Sequence, residues 1–172
     1  MLIAGFGGQG VLMIGQLLCQ AACFNNKEAL FLPKYGAEQR GGTARCDVAI
    51  SDAPIYSPFT DYFDILMALN QPSMDKFSGV LKPGGILLAN SSRCKAVFRE
   101  DDISVLRIPA DEIAERIGSE KVANIVMLGA YVKKSGMLTK EEVLTAINDK
   151  LARKQQLLEM NYQALQAGMD IV

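Results

Sequence analysis

The chain has 172 residues, 49% of them hydrophobic, and a formal net charge of -1, which suits one domain over residues 1–172 with a substantial core and excludes a charge-driven partner such as nucleic acid or an anionic membrane. It has no histidine, so Ser-His and Cys-His nucleophiles are excluded and the commonest metal ligand is missing. Its four cysteines, Cys19, Cys23, Cys46 and Cys94, include no Cys-x-x-Cys pair, so neither an iron–sulfur nor a zinc site is expected on this chain, and no metal ligands are assigned.

No apolar run reaches the length of a membrane span, and Met1-Leu2-Ile3-Ala4 lacks the basic start of a secretory signal, so a cytoplasmic location is expected. Met1 to Ala4 supplies a short first strand. Gly5-Phe6-Gly7-Gly8-Gln9-Gly10 follows as a glycine-rich turn, where glycine at 5, 7 and 10 permits a sharp backbone path and close approach of a ligand or a second chain segment. From Val11 to Phe24 the apolar residues recur at helical spacing, with Asn25-Asn26 as the stop. Within that helix Cys19 and Cys23 are read as small core residues. Ala29-Leu30-Phe31-Leu32, ending at Pro33, reads as a buried second strand, and the whole as a βαβ unit.

A dinucleotide site would require an acidic residue at the end of the second strand to hold the ribose hydroxyls. That position reads Pro33-Lys34-Tyr35, while Glu28 sits at the strand's other end. A stand-alone oxidoreductase binding NAD(P) or FAD on the glycine turn therefore remains the alternative reading. Tyr35 to Gly42 is next, an irregular loop able to aim the Arg40 guanidinium at a carboxylate or phosphate, or equally an ordinary solvated loop. Thr43 to Ser51 alternates as a strand with one solvated face.

Asp64 to Asn70 reads as a buried strand ending on the glycine-turn side of the sheet. A short helix spans about Pro72 to Val80, and the strand Ile86 to Ala89 is closed by Asn90. In open α/β sheets the carboxyl ends of the parallel strands form the ligand crevice, so Asn70 and Asn90 are placed beside the glycine turn, with turn formation as their ordinary alternative. Ile103 to Ile108 gives another strand, and Pro109-Ala110-Asp111 is read as the cap of a helix from Glu112 to Ile117. A more apolar helix covers about Val122 to Val132. Thr139 and Glu142 are spaced as a capping box for a helix running to about Leu151. A last helix, Lys154 to Ala167, carries an apolar face of Leu157, Leu158, Tyr162 and Leu165.

Three ordered stretches, Gly5 to Val11, Tyr35 to Thr43 and Ile50 to Pro58, together with Ala68-Leu69-Asn70, Lys82-Pro83-Gly84-Gly85 and Asn124 to Ala130, resemble the gamma subunit of 2-oxoacid:ferredoxin oxidoreductases over essentially the whole chain. The resemblance implies a Rossmann-like three-layer α/β/α sandwich with a mostly parallel mixed sheet. It also implies a place in a multisubunit assembly that converts a 2-oxoacid, coenzyme A and oxidised ferredoxin into acyl-CoA, carbon dioxide and reduced ferredoxin. Thiamine diphosphate with magnesium, and the iron–sulfur clusters, belong by that resemblance to alpha, beta and delta partner subunits. This chain would then carry no catalytic residue and be inactive alone, while supplying assembly surface and part of a coenzyme A site; a homodimer of the isolated chain stays open. Carried over by position, the contact residues are Gly7, Gly8, Gln9, Gly10, Tyr35, Arg40, Gly41 and Asn70. The run Arg40 to Cys46 resembles the branch handling 2-oxoglutarate or 2-oxoisovalerate, with 2-oxoglutarate favoured.

Overall fold

A computed structural model of the chain describes residues 1–35, 42–57, 59–95 and 102–172. Its elements in chain order are β1 (Leu2–Phe6), α1 (Val11–Phe24), β2 (Glu28–Tyr35), β3 (Thr43–Ser51), β4 (Phe63–Ala68), α2 (Gln71–Phe77), β5 (Leu81–Asn90), β6 (Ser104–Ile108), α3 (Ala110–Ile117), α4 (Ala123–Ser135), α5 (Lys140–Lys150) and α6 (Leu158–Asp170). The strands form one sheet in the order β2-β3-β1-β4-β5-β6. β1, β4, β5 and β6 run parallel to one another, whereas β3 is antiparallel to both β1 and β2. The mixed, mostly parallel sheet expected from the resemblance is present.

The expected βαβ unit is altered by one insertion. β2 has the direction of β1, yet β3 lies between them, so α1 crosses over a strand that comes later in the sequence. This also corrects the reading of β2 as a buried strand. It is eight residues long, sits at the sheet edge, and is partly exposed along its length. An edge strand has one free hydrogen-bonding side, which is why Pro33, lacking an N–H, is tolerated within it.

Alternation along each strand divides the core in two. Ile3, Met67, Leu88 and Ile108 face the helices α1 and α4, over which α3, α5 and α6 form a second tier. Leu2, Ala4, Leu66, Leu87 and Ala89 face the other way, against Met74 and Phe77 from α2. α1 buries Val11, Ile14, Leu17, Leu18, Ala21 and Ala22, each large aliphatic contributing about 1.5–3 kcal/mol on transfer from water. Gly15 on the same face lets the Phe31 ring and the Cys46 thiol close on the helix, 2.7 and 2.8 Å from where a Cβ would stand.

Several local expectations are revised by tertiary contacts. Cys19 is only half-buried and Cys23 is exposed, because the helix turns that flank away from the sheet. The outer face of β3 is less solvated than its pattern suggests. Asp47 is buried there, held by Arg45 at 2.7 Å and Lys34 at 2.9 Å, and Arg45 in turn lies over the Phe63 and Phe77 rings. In α6 the buried residues are Asn161, Ala164, Leu165 and Gly168, so Leu165 of the expected apolar face lies in the core while Leu157, Leu158 and Tyr162 are half-buried against it.

That side of α6 lies backbone-close on α4. A Cβ on Gly129 would overlap the Leu165 carbonyl, and one on Gly168 would overlap the Val126 carbonyl. Two glycines, one per helix, therefore set the distance between α4 and α6. The capping box of α5 is formed as expected, Thr139 Oγ1 accepting from the Glu142 N–H and Glu142 from the Thr139 N–H.

Candidate functional site

The glycine turn joins the carboxyl end of β1 to the amino end of α1, so it lies on the edge where β4 and β5 also end. Gly8 and Gly10 have φ of 96° and 78°, left-handed values that a side chain with a Cβ adopts at a cost of about 1–2 kcal/mol. The glycines also serve specific neighbours. At Gly5 a Cβ would come within 2.8 Å of Gln9 Oε1, and at Gly10 it would overlap Asn124 Nδ2. Gly5 admits one carboxamide and Gly10 admits another. At Gly8 the space is open.

The amides of this turn divide into used and unused groups. Gly7 N–H donates to the Gly42 carbonyl and Gln9 N–H to the Phe6 carbonyl. Gly8 and Gly10 N–H have no acceptor among the described residues. The first turn of α1 has neither a side-chain cap nor an acidic residue. Such an amino end, with oriented amides and the positive end of the helix dipole, is suited to a phosphate or carboxylate.

A cleft of about 190 Å³ opens beside it, bounded by Gly8, Asn90, Arg93, Asp111, Lys121 and Asn124. Asn124 is the unusual member. It is 6% exposed, and its Oδ1 is buried without a partner, a state that costs about 1–3 kcal/mol unless something else supplies the bond. Across the cleft, Asn90 at the end of β5 accepts from the Ser92 and Ala110 N–H groups and donates to Asp111 at 2.7 Å. The start of α3 is therefore capped from the neighbouring strand, not by Pro109 to Asp111 as its sequence suggested. Asp111 lies inside the helix and takes the Arg93 guanidinium at 2.6 Å. Burial would push the Asp111 carboxyl up, but Arg93 and Asn90 together hold it below the usual carboxylate range.

The residues assigned from sequence fall into three groups. Gly7, Gly8, Gln9, Gly10 and Asn70 come together at this edge. The side chains of Gln9 and Asn70, however, are turned into the fold. Gln9 Oε1 accepts from Phe6 N–H at 2.6 Å and from Asn70 Nδ2 at 2.7 Å, and Asn70 Oδ1 caps α2 through the Ser73 N–H. Tyr35 ends β2 in register with Ala44, with its side chain outside the described portion, as are Arg40 and Gly41 in their entirety. Asn124, Arg93, Asp111 and Lys121 were not assigned as site residues. The signal for Asn124 was present but unread: it opens a strongly apolar helix where an unpaired amide is out of place.

A larger cleft of about 610 Å³ opens at the opposite end of the sheet, against Asp64, Lys82, Phe59, Tyr62 and Lys134. Its ion pair, Lys82 to Asp64, is exposed, and Phe59 and Tyr62 project largely into solvent. Among the described residues no group of three or more Cys, Asp or Glu side chains is placed to hold a metal ion, and no helix is long and apolar enough to cross a membrane. The dinucleotide alternative finds no support: the end of β2 carries Lys34, which is engaged with Asp47.

The model of the pyruvate ferredoxin/flavodoxin oxidoreductase family matches residues 1–171. The ketoisovalerate oxidoreductase subunit VorA of Methanothermobacter thermautotrophicus is 43% identical over 170 residues, covering 98% of this chain and 35% of VorA. The chain thus spans about a third of that relative's length. The 2-oxoglutarate synthase subunit KorC of Methanocaldococcus jannaschii is 37% identical over 172 residues, covering 98% of this chain and 91% of KorC. Among solved structures, a keto/oxoacid ferredoxin oxidoreductase gamma subunit from Geobacter sulfurreducens superposes with a TM-score of 0.86 at 32% identity, over 99% of this chain and 95% of that one.

Proposed function

The chain belongs to the pyruvate ferredoxin/flavodoxin oxidoreductase family, and from that premise we propose that it works as the gamma-type subunit of a 2-oxoglutarate:ferredoxin oxidoreductase. The overall reaction joins a 2-oxoacid, coenzyme A and oxidised ferredoxin to give acyl-CoA, carbon dioxide and reduced ferredoxin. Decarboxylation on thiamine diphosphate and electron transfer through iron–sulfur clusters take place on alpha, beta and delta partners. This chain contributes assembly surface and part of the coenzyme A site.

The observation that carries the coenzyme A role is the unpartnered donor set of the glycine turn. Gly8, Gly10 and the first turn of α1 offer N–H groups to a phosphate, with no carboxylate in that turn to compete. Asn124 lines the same cleft, and its spare capacity is the acceptor Oδ1, which suits an N–H or O–H of the ligand, not its phosphate. By the resemblance, Tyr35, Arg40 and Gly41 are further contact residues, and a guanidinium on a phosphate would contribute charge-assisted hydrogen bonds. The likeness to VorA favours one second reading, in which a branched-chain 2-oxoacid is the substrate.

Both are tested by purifying the native complex through a tag on this chain, weighing it intact, and assaying ferredoxin reduction with a panel of 2-oxoacids. Co-purified thiamine-dependent partners and preference for 2-oxoglutarate support the first reading, and preference for 2-oxoisovalerate supports the second. A lone chain without partners overturns both.

A further inference from the structure

We infer that Gln9 and Asn70 form a positioning pair that sets the glycine turn for its ligand while neither side chain touches that ligand; this rests on the coenzyme A reading of the turn. Backbone donors at the two ends fix the polarity of the arrangement. Phe6 N–H identifies the inner atom of Gln9 as the carbonyl oxygen, and Ser73 N–H does the same for Asn70 Oδ1. Only the Asn70 amino group is then left to meet Gln9 Oε1, as it does at 2.7 Å. The remaining Gln9 amino group points to the Leu69 carbonyl at 3.4 Å. No rotation of either amide preserves these bonds.

The pair ties three pieces of chain together: the end of β1 through Phe6, the end of β4 through Leu69, and the start of α2 through the Asn70 cap. Asn70 is 4% exposed, which gives these bonds a low-dielectric setting where their loss is felt most. Gly5 is part of the device, since a Cβ there would stand 2.8 Å from Gln9 Oε1 and push the carboxamide off the strand. The bonds leave Gly8 and Gly10 N–H without acceptors among the described residues, on a turn that is otherwise pinned at both ends.

The test uses Gln9→Leu, Asn70→Asp and the double variant in the assembled complex. Asp at 70 still accepts from the Ser73 N–H, so α2 keeps its cap while the donor to Gln9 is lost. Each single change is expected to raise the KM for coenzyme A about tenfold with kcat within about twofold, the double variant being no worse than the worse single. Amide hydrogen exchange at Phe6 and Gly7, whose N–H groups are bonded to Gln9 Oε1 and the Gly42 carbonyl in the folded turn, read by NMR on the full chain, should quicken in all three.

A KM raised by Gln9→Leu but not by Asn70→Asp would make Gln9 a direct ligand contact and overturn the pair. Additive effects in the double variant, or unchanged exchange, would also overturn it. Gly8→Val separates the two levels. If that bulky change leaves the KM for coenzyme A unmoved, the coenzyme A reading fails, and with it the claim that the pair serves that ligand, whatever the exchange rates show.

Discussion

The two ends of the sheet differ in the opposite sense to their sizes. The larger hollow, at the amino ends of the parallel strands, is bordered by an exposed ion pair and by aromatic rings that stand largely in solvent. The smaller cleft, at the carboxyl ends, gathers Gln9, Asn90 and Asn124 with Asn70 just behind them, and the three asparagines are buried. Burying amides is costly unless each bond is placed. Their concentration at one end marks where the chain spends stability on geometry, and volume alone would have pointed to the wrong end.

Glycine substitutions test this contrast most strongly. Gly10→Ala is expected to lose about 3 kcal/mol, combining the left-handed backbone with overlap on Asn124. Gly84→Ala, at the other end, has a similar φ of 74° and open space around its Cβ, so about 1 kcal/mol is expected. Urea unfolding of both variants isolates the packing contribution as their difference, and equal losses would mean that Asn124 yields freely.

Polar truncations should rank the same way. Asn90→Ala removes the acceptor for two N–H groups and a partner of Asp111, for an expected loss of about 2 kcal/mol. Lys82→Ala breaks only a surface pair, worth at most about 1 kcal/mol. Differential scanning calorimetry at low and high salt distinguishes them, because only the Lys82 effect should fade with salt.

Acid should read the difference again. The Asp111 carboxyl is held low in the folded chain, so its contribution is present above the unfolded value near ~3.9 and is lost as pH falls through the lower folded value. Asp111→Asn should flatten the stability profile below about pH 4, measured by urea midpoints across that range. A profile unchanged by the substitution would mean that other carboxylates govern acid unfolding.

The smallest effect concerns the thiols. Cys94, buried under the carboxyl edge, is pushed up to about 11, while Cys19 and Cys46 are pushed up to about 12 by burial. Cys23, at the far end of α1, is exposed. A maleimide at neutral pH should label Cys23 rapidly, the half-buried Cys19 more slowly, and Cys46 and Cys94 only on unfolding, as peptide mass spectrometry would show.

What was legible in the sequence follows the range of the interactions concerned. α1 begins and ends where its apolar spacing and Asn25 place it, and the α5 capping box needs only four consecutive residues. The ordered motifs were enough to identify the family. The insertion of β3 beside β1 was hidden, because strand order depends on pairings between distant segments. So was the inward turn of Gln9, whose partner Asn70 is 61 positions away. The glycines at 5 and 10 were read as room for a ligand or a second backbone, and they prove to be room for two carboxamides. Spacing shows that space is needed, whereas only the fold shows what fills it.

The contact between α4 and α6 bears on how this chain can diverge. Because Gly129 and Gly168 set backbone against backbone, the helices fit largely without reference to the residues around them, which relatives are then free to exchange. The same arrangement forbids even one added methyl at either position. Among distant relatives, these two sites should stay fixed while their neighbours drift, and random mutagenesis should recover almost nothing there except glycine.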